Sequence, residues 1–433
     1  MHGIILLFAS KVNMRLKASY YKIHTYFLKI KNFLTEFILS SYDFFILKFG
    51  IGDNVLRHSS TNPIVLFVGR EPNFRIQKMM KYLMIEKDID VKLLIQDSKG
   101  LEPHFKNLQN TIFYFRNKFH LKRILHNAKV DRLIAFSSRP SYAYAALSSY
   151  SGMKFFDAYD SLVVYYGLNP KQKWMRDEMA YEKKCFSTAD FLIARNLEVR
   201  QSLVMYGLNK KKSILFSDYC DNELLIKENI RQIDSKATIN IAYSGGLYGK
   251  SARKSSHGIE NFDELIYSLP ENNVNLHLYP SPNLPIHYYF EFIDEAKVNP
   301  HLKIYDSLPQ KELCEDLSKY HFGILPHFKD DDSRILDYKL RYGTSNKFFN
   351  FLEAGIPIIV SGEMTYMAWM VKRYKIGIVI SRNDLSKLRQ IILSTDYAAM
   401  KSNVYRFRQK LSMNENLPRL RQFILDSKKM AGN

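Results

Sequence analysis

A chain of 433 residues is longer than one hydrophobic core ordinarily organises, so two domains are expected. With 46% hydrophobic and 24% charged residues it reads as an ordinary globular protein, neither disordered nor collagenous. The formal net charge of +20 points to an anionic partner or surface: nucleic acid, acidic lipid head groups or phosphorylated ligands.

The three cysteines, Cys185, Cys220 and Cys314, are widely spaced and form no CxxC pair. That excludes a disulfide framework, favours reduced thiols in a cytoplasmic setting and leaves no structural metal to expect. The opening apolar run Ile4–Ala9 is too short to span a bilayer, and its positive charges, Lys11, Arg15 and Lys17, follow it rather than precede it. Residues 1–58 read as a helical extension. Tyr20, Tyr26, Phe27, Phe33, Phe37 and Leu39 form a broad apolar stripe, and the stretch holds eight Lys or Arg against three Asp or Glu. A basic, aromatic, amphipathic segment suits the interface of an anionic membrane; packing on the body of the protein is the alternative.

From residue 63 the pattern becomes strands alternating with helices. Pro63–Gly69, Val91–Ile95, Thr111–Phe115, Arg132–Phe136, Lys154–Tyr159 and Phe191–Ala194 read as strands, with helices near 75–86, 120–128, 141–150 and 173–186. Continuous apolar strands separated by helices predict a parallel sheet covered on both faces. A composition shift near Asp221–Lys236 marks a linker, and the pattern then restarts. Ile239–Gly246, Val274–Tyr279, Leu302–Tyr305, Phe322–Pro326, Ile356–Ser361 and Ile376–Ile380 read as a second set of strands. The expected organisation is the extension at 1–58, a first α/β domain at 60–225, a second at 236–383 and closing helices at 384–433. Two successive open sheets place a ligand in the cleft between them, at the carboxyl ends of the strands.

The run from Ser345 to Ser361, SNKFFNFLEAGIPIIVS, carries the most specific signal. It resembles the donor-binding helix and following strand of GT-B glycosyltransferases, particularly the family-4-like group. Tyr243–Leu247, Leu308–Leu313, Gly323–Pro326, Asp157–Ser161 and Thr188–Ile193 match at consistent spacing, so the resemblance spans roughly residues 60–385. It implies an α/β protein of GT-B type, with two Rossmann-like domains facing across a cleft, the first binding acceptor and the second nucleotide-sugar, here with an N-terminal helical extension.

Physical chemistry supports several of the residues this picks out. Ser345 and Asn346 are good helix N-cap types. Lys347 in the first turn opposes the helix dipole unless a diphosphate sits before it. Gly245 and Gly246 let backbone approach that group closely. Asn350 stands where the resemblance places a ribose-binding carboxylate, and Glu353, one turn on, is the candidate to replace it. Arg253 and Lys254 occupy the region where relatives hold the departing diphosphate with positive side chains. On the first domain, Asp157 and Asp160 are the candidates to take a proton from the acceptor hydroxyl or to orient sugar hydroxyls, with Asp160 preferred as the base. Gly69 and Arg70 should line the acceptor side. Asp330–Asp332 reads as a solvated loop rather than a metal site, and no cofactor is required.

The leading expectation is therefore a hexosyltransferase-type enzyme using a nucleotide-sugar donor. Its acceptor would be a glycan or a lipid-linked intermediate of cell-surface polysaccharide or glycoconjugate synthesis, met peripherally at the inner face of the membrane. A sugar-nucleotide epimerase of the same architecture is the first alternative. A non-enzymatic binder of anionic surfaces or nucleic acid is the second, although no zinc finger, RNA-recognition signature or basic-aromatic repeat is present. Donor base, acceptor identity, stereochemical outcome and oligomeric state have no signature in these motifs.

Overall fold

The structure, a computed structural model, describes residues 56, 61–102, 105, 108, 111–229, 233–253, 261–282, 284–329 and 337–427. The amphipathic stripe of residues 1–58, Lys254 and Asp330–Asp332 lie outside the described residues.

Two parallel sheets organise the chain. The first joins β1 (Ile64–Gly69), β2 (Asp90–Ile95), β3 (Ile112–Tyr114), β4 (Arg132–Phe136), β5 (Met153–Ala158), β6 (Phe191–Ala194) and β7 (Ser213–Leu215) in the order β3-β2-β1-β4-β5-β6-β7. The second joins β8 (Ile239–Gly245), β9 (Val274–Pro280), β10 (Leu302–Ile304), β11 (Phe322–Leu325), β12 (Ile358–Ser361) and β13 (Gly377–Ile380) in the order β10-β9-β8-β11-β12-β13. Each sheet reverses its winding beside its first strand, between β1 and β4 and between β8 and β11. Such reversals open a crevice at the carboxyl ends of the strands. The first crevice opens at Gly69 and the second at Gly245.

Burial along the strands explains why the sheets are parallel and covered. Every residue of β1 is buried, with Leu66 and Val68 packing into one apolar cluster and Val65 and Phe67 into another, on opposite faces. The second sheet does the same: Ala242, Ile358 and Val360 face one core, and Ile241, Tyr243 and Ile359 the other. Continuous apolar strands are stable only when helices cover both faces.

Six helices position the site. They are α1 (Phe74–Ile85), α2 (Leu162–Tyr166), α3 (Glu198–Met205), α4 (Gln310–Leu317), α5 (Asp337–Tyr342) and α6 (Asn346–Glu353). Asn73 caps α1 through its side chain, which accepts from Ile76 N at 3.0 Å.

Near the C-terminus, α7 (Tyr397–Lys410) packs Val404 and Phe407 into the second domain. The next helix, α8 (Met413–Leu425), returns to the first. It contributes Met413, Leu417, Leu420 and Ile424 to that domain's core and sets Phe423 edge-on against Phe155 and Phe191. Arg132 Nε fixes it by donating to Ile424 O at 3.0 Å. The returning chain runs beside the outgoing one: Cys220 N donates to Leu411 O at 2.7 Å and Met413 N to Cys220 O at 2.9 Å. The twelve expected strands all form, and β7 is an addition. Among the described residues no helix is long and apolar enough to cross a membrane.

Candidate active site

A cavity of about 380 Å³ lies between the two domains. Its floor on the second domain is the end of β8, Ser244–Gly246, with Tyr279 to Pro282 at the end of β9, Leu308–Gln310 at the start of α4, and the first two turns of α6. Its wall on the first domain is the face of α1 carrying Phe74, Gln77, Lys78 and Lys81. Of the residues expected to bind donor, Gly245, Gly246, Asn346, Lys347, Asn350 and Glu353 are brought together here.

The bend at Gly245 explains the glycine twice over. Its φ is +141°, and a Cβ there would lie 2.1 Å from Lys347 Cε. The glycine therefore makes room for the lysine, whose ammonium sits 5.2 Å from the Tyr243 ring centroid. Ser345 occupies the N-cap of α6 but its side chain makes no capping hydrogen bond. Asn346 is turned toward the first domain instead: its amide donates to Tyr159 OH at 2.8 Å and accepts from Arg195 Nη2 at 2.5 Å. The start of α6 is thus tied across the cleft while its N–H end faces the cavity, an arrangement suited to a phosphate group.

Two hydroxyls add to this picture and were not evident in the sequence. Ser244 Oγ and Thr344 Oγ1 are buried and have no hydrogen-bond partner among the described residues. Ser244 lines the cavity beside Gly245, and Thr344 precedes the N-cap of α6. An unsatisfied buried hydroxyl costs about 1–3 kcal/mol, a cost relieved when a ligand oxygen reaches it. Lys78 and Lys81 were also missed, although their spacing on one face of an otherwise apolar helix was the available signal. Lys78 Nζ donates to Asp218 O and Tyr219 O and lies 3.7 Å from Glu353; Lys81 pairs with Asp221 and Glu223.

Glu353 is buried. It accepts from Asp221 N at 2.7 Å, and Gln310 Nε2 donates to Asn350 Oδ1 at 3.0 Å nearby. Burial pushes the Glu353 carboxyl up, against the pull of Lys78. Arg253 does not line this cavity; its guanidinium is held by Asp263 at 2.6 Å.

The first-domain carboxylates require correction. Asp157 does not face the cleft. It is the penultimate residue of β5, fully buried, and paired with the buried Arg75 of α1 at 3.2 Å. Burial pushes its carboxyl up while Arg75 pulls it down. Asp160 lies two residues beyond the strand end and outside the cavity lining. It bridges the domains, accepting from Arg195 at 2.9 Å and from Lys339 of α5 at 2.7 Å. Burial works against the ionised form, yet Lys339 and Arg195 together hold its carboxyl at about 2. A carboxylate so acidic, with both cations attached, is a poor proton acceptor. Glu198 of α3 completes the bridge at 2.8 Å from Lys339.

Of the two residues expected to line an acceptor, Gly69 is a packing residue, since a Cβ there would overlap the Phe136 ring. Arg70 does line a cavity, the second one, at the ends of β1, β2 and β3. Among the described residues no group of three or more His, Cys, Asp or Glu is placed to hold a metal ion.

This architecture recurs in solved structures at low identity. Sucrose-phosphate synthase from Thermosynechococcus elongatus superposes with a TM-score of 0.63 at 10% identity, covering 86% of this chain and 100% of its own. The chain has the GT-B fold. Anabaena HepE in complex with UDP-glucose gives a TM-score of 0.56 at 11% identity, with the same coverage. A UDP-N-acetylglucosamine 2-epimerase gives 0.50 at 12%, covering 86% of this chain and 97% of its own. No curated protein sequence matches the chain. Residues 265–419 match the family described as glucosyltransferase 3-like, C-terminal domain. The resemblance to GT-B glycosyltransferases is thus borne out in the fold and, over most of the second domain, in the sequence family.

Proposed function

We propose that the protein is a glycosyltransferase that moves a sugar from a nucleoside-diphosphate-sugar to a glycan or lipid-linked acceptor at the inner face of the membrane, in cell-surface polysaccharide or glycoconjugate synthesis. The observation that carries this reading is the meeting of Gly245, Lys347 and the start of α6 in one interdomain cavity. As the acceptor hydroxyl oxygen bonds to the sugar's anomeric carbon, the bond from that carbon to the diphosphate breaks, the bonding pair leaves with the diphosphate, and the hydroxyl proton passes to the departing phosphate oxygen. In this reading Lys347, the N–H groups of α6 and the Ser244 hydroxyl would receive that charge, because all three meet at the one cavity. Losing one such contact typically costs about 3 kcal/mol in the transition state.

The family over residues 265–419 and the solved relative holding UDP-glucose support a nucleotide-sugar donor. The membrane setting is drawn from the net charge of +20 and the basic, aromatic composition of residues 1–58. An epimerase is the second reading, favoured by the 2-epimerase of the same fold.

Thermal unfolding with UDP, GDP, CMP, TDP and their sugar conjugates tests the donor site. A ligand at about 100 times its dissociation constant adds about 2.7 kcal/mol. One nucleoside diphosphate is expected to stabilise the protein, and Lys347→Ala to remove at least about half of that gain; a flat panel would overturn the reading. Conversion of the sugar conjugate to an epimer without acceptor would select the second reading.

A further inference from the structure

The second cavity, about 500 Å³, belongs wholly to the first domain and is lined by Arg70, Gln96, Asp97, Tyr114, Phe115, Arg116 and Tyr142. It opens at the carboxyl ends of β1, β2 and β3, where an open α/β sheet presents its ligands. The loop from Arg70 to Asn73 separates it from the donor cavity, whose wall begins at Phe74. A molecule here would be next to the donor, on the acceptor side.

Its chemistry is distinctive. The half-buried Arg70 side chain makes no hydrogen bond or ion pair among the described residues. Arg70 is nonetheless fixed at its backbone, where its N–H donates to Ser138 Oγ at 3.1 Å and its carbonyl accepts from Gln96 N and Asp97 N, both at 2.9 Å. Arg116, an exposed residue, is the second arginine of the lining, and Lys118 holds its ammonium 4.8 Å from the Tyr142 ring centroid. The one carboxylate among the described lining residues, Asp97, already accepts from Lys99 N at 2.8 Å. Tyr114, half exposed at the end of β3, and Tyr142 supply flat aromatic faces.

A guanidinium recognises carboxylate and phosphate through paired hydrogen bonds. Aromatic faces beside it offer a platform for the C–H face of a sugar ring. We infer that this cavity binds the acceptor and that the acceptor is anionic: a sugar bearing a carboxylate or phosphate that Arg70 and Arg116 grip while Tyr114 or Tyr142 carries the ring. This rests on the transferase reading for the word acceptor, but the site itself does not.

The test is binding, measured by ligand-observed NMR and calorimetry on the full chain, with glucuronate and glucose 6-phosphate against glucose. An N-acetylglucosamine linked to farnesyl diphosphate serves as the lipid-linked probe. Each charged probe that fits is expected to bind at least tenfold more tightly than glucose, and Arg70→Ala or Arg116→Ala to reduce that binding about tenfold. Preference for glucuronate assigns a uronate-type acceptor, and preference for the farnesyl probe a lipid-linked one. Lys347→Ala should leave glucuronate binding unchanged, and Arg70→Ala should leave nucleoside diphosphate stabilisation unchanged. Equal binding of glucose and the charged probes, no binding of any, or charged-probe binding unaffected by both arginine substitutions would overturn the inference. Arginine-dependent binding of a charged sugar without any nucleotide response would instead keep this site and overturn the transferase reading.

Discussion

Replacing Gly245 by alanine tests the donor cavity at its tightest point. The added Cβ must adopt φ +141°, and it would lie 2.1 Å from Lys347 Cε, 3.1 Å from Nζ and 3.2 Å from Cδ. The backbone strain is about 1–3 kcal/mol. The overlap is relieved by swinging a flexible side chain, so it costs the fold little, but it removes the ammonium from its place. A hydrogen bond to a charged group is worth about 1.5–3 kcal/mol, so affinity for the stabilising nucleoside diphosphate should fall roughly tenfold to a hundredfold. The decisive experiment is a cycle with Lys347→Ala, reading both the unfolding temperature and the nucleotide dissociation constant. With the lysine gone, the alanine has room, and Gly245→Ala should cost only its strain, with no further loss of affinity. If instead the two losses of affinity add to within about 0.5 kcal/mol, the glycine does not act through Lys347 and the account of the cavity is wrong.

Two further outcomes follow from buried groups. Ser244→Ala should leave the unliganded protein as stable or slightly more stable, because the removed hydroxyl has no partner there, while shrinking the nucleotide-induced rise in unfolding temperature; an unchanged rise would remove Ser244 from the site. Glu182 is buried beneath α2, accepting from Leu162 N at 2.8 Å and Tyr206 OH at 2.5 Å. Burial raises its carboxyl from the usual 4.5 to about 7, with those hydrogen bonds opposing the rise. The folded state therefore holds its proton more tightly, so this contribution favours folding below about pH 4.5 and is lost as pH rises toward 7. Glu182→Gln should consequently gain on the wild type between pH 5 and 8, by up to about 3 kcal/mol. A stability difference that stays flat over that range would show that Glu182 does not titrate there.

The fold was largely legible because its strands are unbroken apolar runs bounded by glycine, proline or polar turns. The exception, β7, has three residues, of which only Ile214 is buried, and it follows Lys210–Lys212. Pairing with β6 rather than composition makes it a strand. The second-domain half of the site was legible for a local reason: a glycine bend, a helix start and a misplaced cation announce themselves in the sequence. The first-domain half was not. Whether Asp157 faces solvent or core depends on its place on a twisted sheet and on an arginine 82 residues away. Asp160 likewise owes its state to Lys339, from the other domain, 179 residues along the chain. Partners so distant have no trace in local spacing. Arg253 was placed by region alone, and Asp263 holds it away from the cavity.

The return of α8 gives the first domain a discontinuous sequence. Its core is incomplete without Met413, Leu417, Leu420 and Ile424, whereas the second domain lies between two adjacent crossings at Cys220 and Ser412. A chimera exchanging first domains between proteins of this fold must therefore transplant two segments together, the long N-terminal one and the short C-terminal one. An insert carrying only the first would leave an apolar trough along α1. The second domain is the simpler cassette, excised with one cut on each side of a paired crossing.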